Sequence, residues 1–198
     1  MSPQPAQCVV VSGMPRSGTS LVMQMLSAAG VPAVVDAHRP ADPDNPRGYF
    51  EHQAVKALGQ DPSRFAGLDL AGKAVKVVSP LLAKLPAGPR YAVVFVERSP
   101  SEMLASQQKM LARLGRTGGA LSEEKMTAVL TAQHNKAVAL AEGRADMAVH
   151  RLAYRGCIDQ PDEVAQELAA FVGGFLRRDL DATAMASAVD PDLYRNRA

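Results

Sequence analysis

The residues best suited to hold and neutralise an anion are Arg16, Ser17, Thr19 and Ser20, inside the run Val9-Val10-Val11-Ser12-Gly13-Met14-Pro15-Arg16-Ser17-Gly18-Thr19-Ser20, and farther on Lys76, Arg98 and Ser106. The run reads as a β-strand that ends in a glycine-bounded loop and opens straight into a helix. Gly13 and Gly18 stand in the GxxxxG spacing of a phosphate loop. In such a loop, successive backbone N–H groups and the N-terminus of the next helix converge on one negatively charged group. A nucleotide triphosphatase places Lys directly after the second Gly to bridge the terminal phosphates. Here Thr19 occupies that position and the cation, Arg16, lies inside the loop. The pattern predicts a ligand other than a Mg-bound triphosphate.

The elements that must position these residues follow from hydrophobic periodicity. Apolar, β-branched runs at 8–12, 74–78 and 91–96 read as buried parallel strands, and 147–153 as a weaker fourth. Between them lie helical patterns. Leu21, Val22, Met25, Leu26 and Ala29 share one face of a first helix stopped by Gly30. Ser99-Pro100-Ser101-Glu102 reads as a capping box that opens a helix with Met103, Leu104, Met110, Leu111 and Leu114 on its inner side. Residues 122–141 form another helix with Met126, Val129, Leu130, Ala137 and Leu140 as the inner stripe, and 161–172 a last one closed by Gly173-Gly174. The fold class expected is α/β, a P-loop-type three-layer sandwich with a mainly parallel sheet, over one domain spanning 1–198. The Pro/Asp-rich stretch 36–48 is the exception to regular structure and is expected to cross the ligand-binding edge.

Ligands of open α/β sheets sit outside the carboxyl ends of the strands. Taken in order, those ends carry Arg16, then Lys76 with Ser79 behind it, then Arg98, so cations converge on one rim. Arg98 with Ser106 eight residues later can clamp a second phosphate. At this point the chain resembles the sulfotransferases that use 3′-phosphoadenosine 5′-phosphosulfate (PAPS). In that family a (Lys/Arg)-Ser-Gly-Thr-(Thr/Ser) loop cradles the 5′-phosphosulfate, matched here by Arg16-Ser17-Gly18-Thr19-Ser20. A strand-end Arg and a Ser eight positions on hold the 3′-phosphate, matched by Arg98 and Ser106, although Ser99 replaces the Asp that usually follows the Arg. Asn45-Pro46-Arg47-Gly48-Tyr49-Phe50-Glu51 is similar to a segment of bacterial members in which a carboxylate base is expected, which makes Glu51 the candidate, with His52 beside it an equally reachable base. Tyr154 stands where the family has an adenine-contacting Tyr, but Arg155 replaces the Glu that often follows, and a packing role for Tyr154 is the stronger reading. The family's Lys-x-His-x-Pro string appears as Lys76-Val77-Val78-Ser79-Pro80, which keeps the Lys as a leaving-group stabiliser and lacks the His.

The resemblance implies PAPS as co-substrate, no metal, and a small-molecule or carbohydrate acceptor with a hydroxyl or amine nucleophile. Each residue also has a plainer reading: Arg98 as a strand end with Ser99 as cap, Glu51 as a first-turn helix carboxylate, Lys76 snorkelling from an apolar strand. Two rival functions stay open. One is a P-loop kinase or nucleotidase using Glu97 as metal-coordinating acid and Ser20 as its hydroxyl partner, and the other a non-catalytic nucleotide-binding module. A net charge of +2 with scattered bases argues against nucleic-acid binding. No apolar run approaches the roughly 20 residues of a membrane span, and the start lacks a signal pattern, so a soluble, cytoplasmic protein is expected. Cys8 and Cys157 are too few for a disulfide framework and read as reduced thiols. His38, His134 and His150 show no ligand spacing, and oligomeric state, a homodimer included, is left open.

Overall fold

The computed structural model describes residues 5–36, 38, 41–42, 45–116 and 122–193. Residues 37, 39, 40, 43 and 44 of the expected loop over 36–48 lie outside the described residues. The four apolar runs become β1 (Gln7–Gly13), β2 (Ala74–Val78), β3 (Arg90–Glu97) and β4 (Met147–Ala153), each within two residues of its predicted limits. They form one sheet in the order β2-β1-β3-β4, parallel throughout. The chain steps outward from β1 to β2, then returns past β1 to β3 and β4. The strand order therefore reverses beside β1 and opens a crevice at the carboxyl ends of β1 and β3. Register brings Gly13 level with Val78 on one side and Val96 on the other, so the loops after three adjacent strands leave the sheet at one height.

Period-two alternation splits β1 between two cores: Val9 and Val11 face one, Cys8 and Val10 the other. The first is covered by α1 (Thr19–Ala28), α6 (Tyr154–Asp159), α7 (Pro161–Leu176) and α8 (Ala182–Ser187), with Met23, Met25, Leu26, Leu168 and Met185 fully buried. The second is covered by α2 (Gln53–Lys56), α3 (Ser63–Ala66), the 3₁₀ stretch Ser79–Lys84 and α5 (Glu123–Glu142), around Phe65, Phe95 and Tyr91. The three-layer α/β expectation holds.

Four local expectations do not. α7 runs through Gly173-Gly174 to Leu176, because Gly173 serves close approach: a Cβ there would lie 2.7 Å from the Arg178 carbonyl where the chain turns back. The stop comes instead at Arg177, with φ 56° in the left-handed region. The capping box before α4 (Pro100–Arg113) does not form, since the Ser99 hydroxyl pairs with Ser101 and Glu102 turns to Arg98. On α5 only Ala137, Val138 and Ala141 are buried, and Val129 of the expected stripe is 43% exposed. Leu114, expected on the inner side of the helix before it, is 57% exposed. Apolar burial on α4 is confined to its first half, at Met103 and Leu104, and burial on α5 to its second half, so the end of α4 and the start of α5 take no part in the core.

Cys8 and Cys157 are fully buried on opposite faces, and burial pushes each thiol up to about 12. Neither should react with a thiol reagent at pH 8 while the protein is folded, because the thiolate is the reactive species. Two thiols should titrate after unfolding in guanidinium; modification of either in the native protein would show that its core opens. His134 packs edge-on to Phe95 and sits 3.2 Å from Glu97, and His150 stacks on Phe171. Among the described residues no helix is long and apolar enough to cross a membrane, and no group of three His, Cys, Asp or Glu side chains could hold a metal ion.

Candidate active site

The loop between β1 and α1 is built around two glycines with different duties. At Gly13 a Cβ would lie 2.6 Å from the Val96 carbonyl and overlap the Ser17 hydroxyl, so only glycine lets β1 end this close to β3. At Gly18, φ is 102° and a Cβ would overlap the Tyr154 ring. Glycine there admits a left-handed turn and an aromatic side chain pressed on the loop. Arg16 also sits in the left-handed region, at φ 73°, a conformation that strains a residue carrying a Cβ.

Arg16 Nε donates to the Ser106 hydroxyl at 3.0 Å, and Arg98 Nη1 donates to the Arg16 carbonyl at 3.2 Å. Arg98 Nε donates to Glu102 at 2.7 Å in an ion pair whose side chains are 7% and 9% exposed, and its guanidinium lies 4.4 Å from the centre of the Tyr154 ring. One arginine is thus held on three sides. Arg16 and the Arg98–Ser106 pair, expected as two separate anion sites, form one hydrogen-bonded cluster. Lys76, 9% exposed, points up from β2 and donates to the Ser20 hydroxyl at 3.2 Å and the Tyr49 carbonyl at 2.9 Å.

These groups converge on a cleft of about 580 Å³ over the crevice. Its lining includes Arg16, Lys76 and Arg98 from the ends of three adjacent strands, together with Gly18, Thr19, Ser20, Ser106, Glu51 and Tyr154. The chain superposes on a sulfotransferase domain from the olefin synthase of Synechococcus PCC 7002 with a TM-score of 0.53 at 13% identity, covering 98% of this chain and 82% of that one. The fold is that of a sulfotransferase. A sulfotransferase domain from the curacin biosynthetic pathway matches with a TM-score of 0.53 at 15% identity, over 98% of this chain and 88% of that chain. A sulfotransferase from Mycobacterium avium matches with a TM-score of 0.50 at 13% identity, over 94% and 67%. No protein-family model and no curated protein matches the chain.

Within this sulfotransferase fold, Ser17, His52 and Ser79 are not part of the cleft lining. The Ser17 hydroxyl is buried beneath the loop with no hydrogen-bond partner among the described residues, and Ser79 turns inward onto the Met14 sulfur at 3.0 Å. His52 caps α2, its Nδ1 accepting from the Ala54 amide at 3.1 Å, which separates it from Glu51 on the cleft wall. The Glu51 carboxylate pairs with Lys56 at 2.8 Å. Glu97 is engaged by His134 and by Arg151 at 2.8 Å and is likewise outside the lining. Arg155 pairs with Asp159 at 2.6 Å on the surface.

Residues that sequence reasoning passed over complete the cleft. Asn45 donates to Ser20, Arg47 ties its loop to the Ala188 carbonyl and to Asp190 at 3.0 Å, and Lys109 and Arg113 rise along one side of α4. Their spacing from Ser106 at i+3 and i+7 was the available signal. At the root of this loop Asp36 accepts from the Gln53 amide at 2.6 Å, the main reason its carboxyl lies below the usual range. That brace is complete above the ordinary carboxylate pKa of about 4 and is lost as pH falls through the lowered value.

Proposed function

We propose that the protein transfers a sulfuryl group from PAPS to a hydroxyl or amine of a small-molecule or carbohydrate acceptor. The observation that carries this reading is the convergence of Arg16, Lys76 and Arg98 on one nucleotide-sized cleft where the strand order reverses. The residues suit the donor. The cleft volume lies within the range of cofactor sites, and its lining sets three cations beside Thr19 and Ser20 of the first turn of α1, a donor set that suits a multiply charged anion. When bound, PAPS supplies the sulfuryl group and a phosphate leaving group.

The loop amides, Arg16, Thr19 and Ser20 hold the 5′ end, and Arg98 with Ser106 holds the 3′-phosphate. Arg16 bridges the two, since its Nε already meets Ser106. Arg16 and Lys76 neutralise charge as it builds on the departing oxygen, which is where a loose transition state needs help. Glu51 takes the acceptor's proton. Tyr154 fixes the plane of Arg98 and packs on Gly18, leaving adenine contact as its lesser duty. The kinase alternative is disfavoured by Glu97, whose carboxylate is engaged away from the cleft by His134 and Arg151.

With radiolabelled PAPS and a panel of phenols, alcohols, amines and sugars, label should reach an acceptor without added magnesium. Glu51→Gln should lower kcat about 100-fold or more, while His52→Asn, which keeps an N-cap acceptor, should stay within a few fold. No labelled acceptor, together with Mg-dependent ATP turnover, would overturn the assignment.

A further inference from the structure

We propose that Asn45 is a positioning residue that fixes the Ser20 hydroxyl as a hydrogen-bond donor into the cleft. This rests on the reading of the cleft as the PAPS site. Ser20 lies in the first turn of α1, half-buried and on the cleft wall. Its oxygen lies 2.8 Å from Asn45 Nδ2 and 3.2 Å from Lys76 Nζ. An ammonium and an amide nitrogen can only donate, and a serine oxygen has two acceptor lone pairs and one proton. With both lone pairs engaged, the Ser20 proton must be given away, and the cleft is the side on which a ligand acceptor would stand.

Asn45 is itself held. Its backbone N–H faces the Asp42 carbonyl at 2.9 Å and the Asp42 carboxylate at 3.1 Å, and the Tyr49 hydroxyl donates to that same carboxylate at 2.9 Å. Lys76 ties the other end of the loop through the Tyr49 carbonyl. The loop that reaches Glu51 thereby sets the polarity of a group in the anion loop, which couples the acceptor side of the cleft to the nucleotide side. Asparagine is required for this: an aspartate of the same shape would accept the Ser20 proton and turn the hydroxyl away from the ligand.

The test is isothermal titration of adenosine 3′,5′-bisphosphate into the unaltered protein and into Asn45→Ala, Asn45→Asp, Ser20→Ala and Asn45→Ala/Ser20→Ala, with thermal melts to confirm folding. Ser20→Ala should weaken binding about ten-fold. Asn45→Ala should weaken it several-fold, and Asn45→Asp more than either, because it removes the donor and adds a charge beside the anion. In the Ser20→Ala background, Asn45→Ala should change nothing further. Asn45→Asp binding as tightly as the unaltered protein, or an undiminished Asn45→Ala effect in the absence of the Ser20 hydroxyl, would overturn the inference. If Asn45→Asp does not fold, the alanine cycle decides alone. Failure of the unaltered protein to bind the bisphosphate would instead sink the functional reading.

Discussion

Glu102→Ala should lower the unfolding free energy by about 3–5 kcal/mol, the cost of leaving a buried charge without its partner. Arg98 and Glu102 form a 2.7 Å ion pair with side chains only 7% and 9% exposed, so water replaces the lost carboxylate far less well than it would at the surface. Two further partners of Arg98, the Arg16 carbonyl and the Tyr154 ring, solvate a guanidinium without neutralising it. Denaturant melts measure the loss. The double variant Arg98→Met/Glu102→Leu should recover most of it, since two apolar chains of similar size remove both charges together. A loss under about 1 kcal/mol for the single variant would mean that the pair is solvated after all.

Arg16→Ala should reduce kcat/KM by about 100- to 1,000-fold, the usual effect of deleting one preorganised donor aimed at developing charge. Its stability should barely change: the side chain is half-buried, the left-handed φ of 73° is adopted by a residue with a Cβ in either case, and the carbonyl that receives Arg98 is backbone. Arg16→Lys restores the charge but not the Nε bond to Ser106, so it should recover part of the rate. Steady-state kinetics beside a thermal melt separate the two effects. Activity within three-fold of the unaltered protein would remove Arg16 from the chemistry.

β1, β2 and β3 were legible because they are Val-rich runs buried on both faces, and Val9, Val10 and Val11 admit little else, whereas β4, buried only at Met147 and Leu152, gave the weaker signal. The turn from β1 into α1 was legible because Gly13 and Gly18 meet steric demands that no other residue satisfies, and those demands show as spacing. Side-chain use was less so. Ser99 and Glu102 carry a capping-box pattern, yet the buried Arg98 offers Glu102 a stronger partner than a helix N–H does. The four- to six-residue helices α2, α3, α6 and α8 are too short to show a period. Asn45 meets Ser20 across 25 positions and Arg16 meets Ser106 across 90, contacts set by the sheet order and not by any local pattern.

If one cluster receives both phosphates of one nucleotide, a thermal shift comparison of adenosine 3′,5′-bisphosphate, AMP and Mg-ATP will set the first ligand apart from the other two. A ligand at 100 times its dissociation constant adds about 2.7 kcal/mol to stability. A large upward shift is expected with the bisphosphate and little with the other two, because AMP has no 3′-phosphate to offer Arg98 and Ser106. Equal shifts with AMP and the bisphosphate, or the largest shift with Mg-ATP, would contradict that reading.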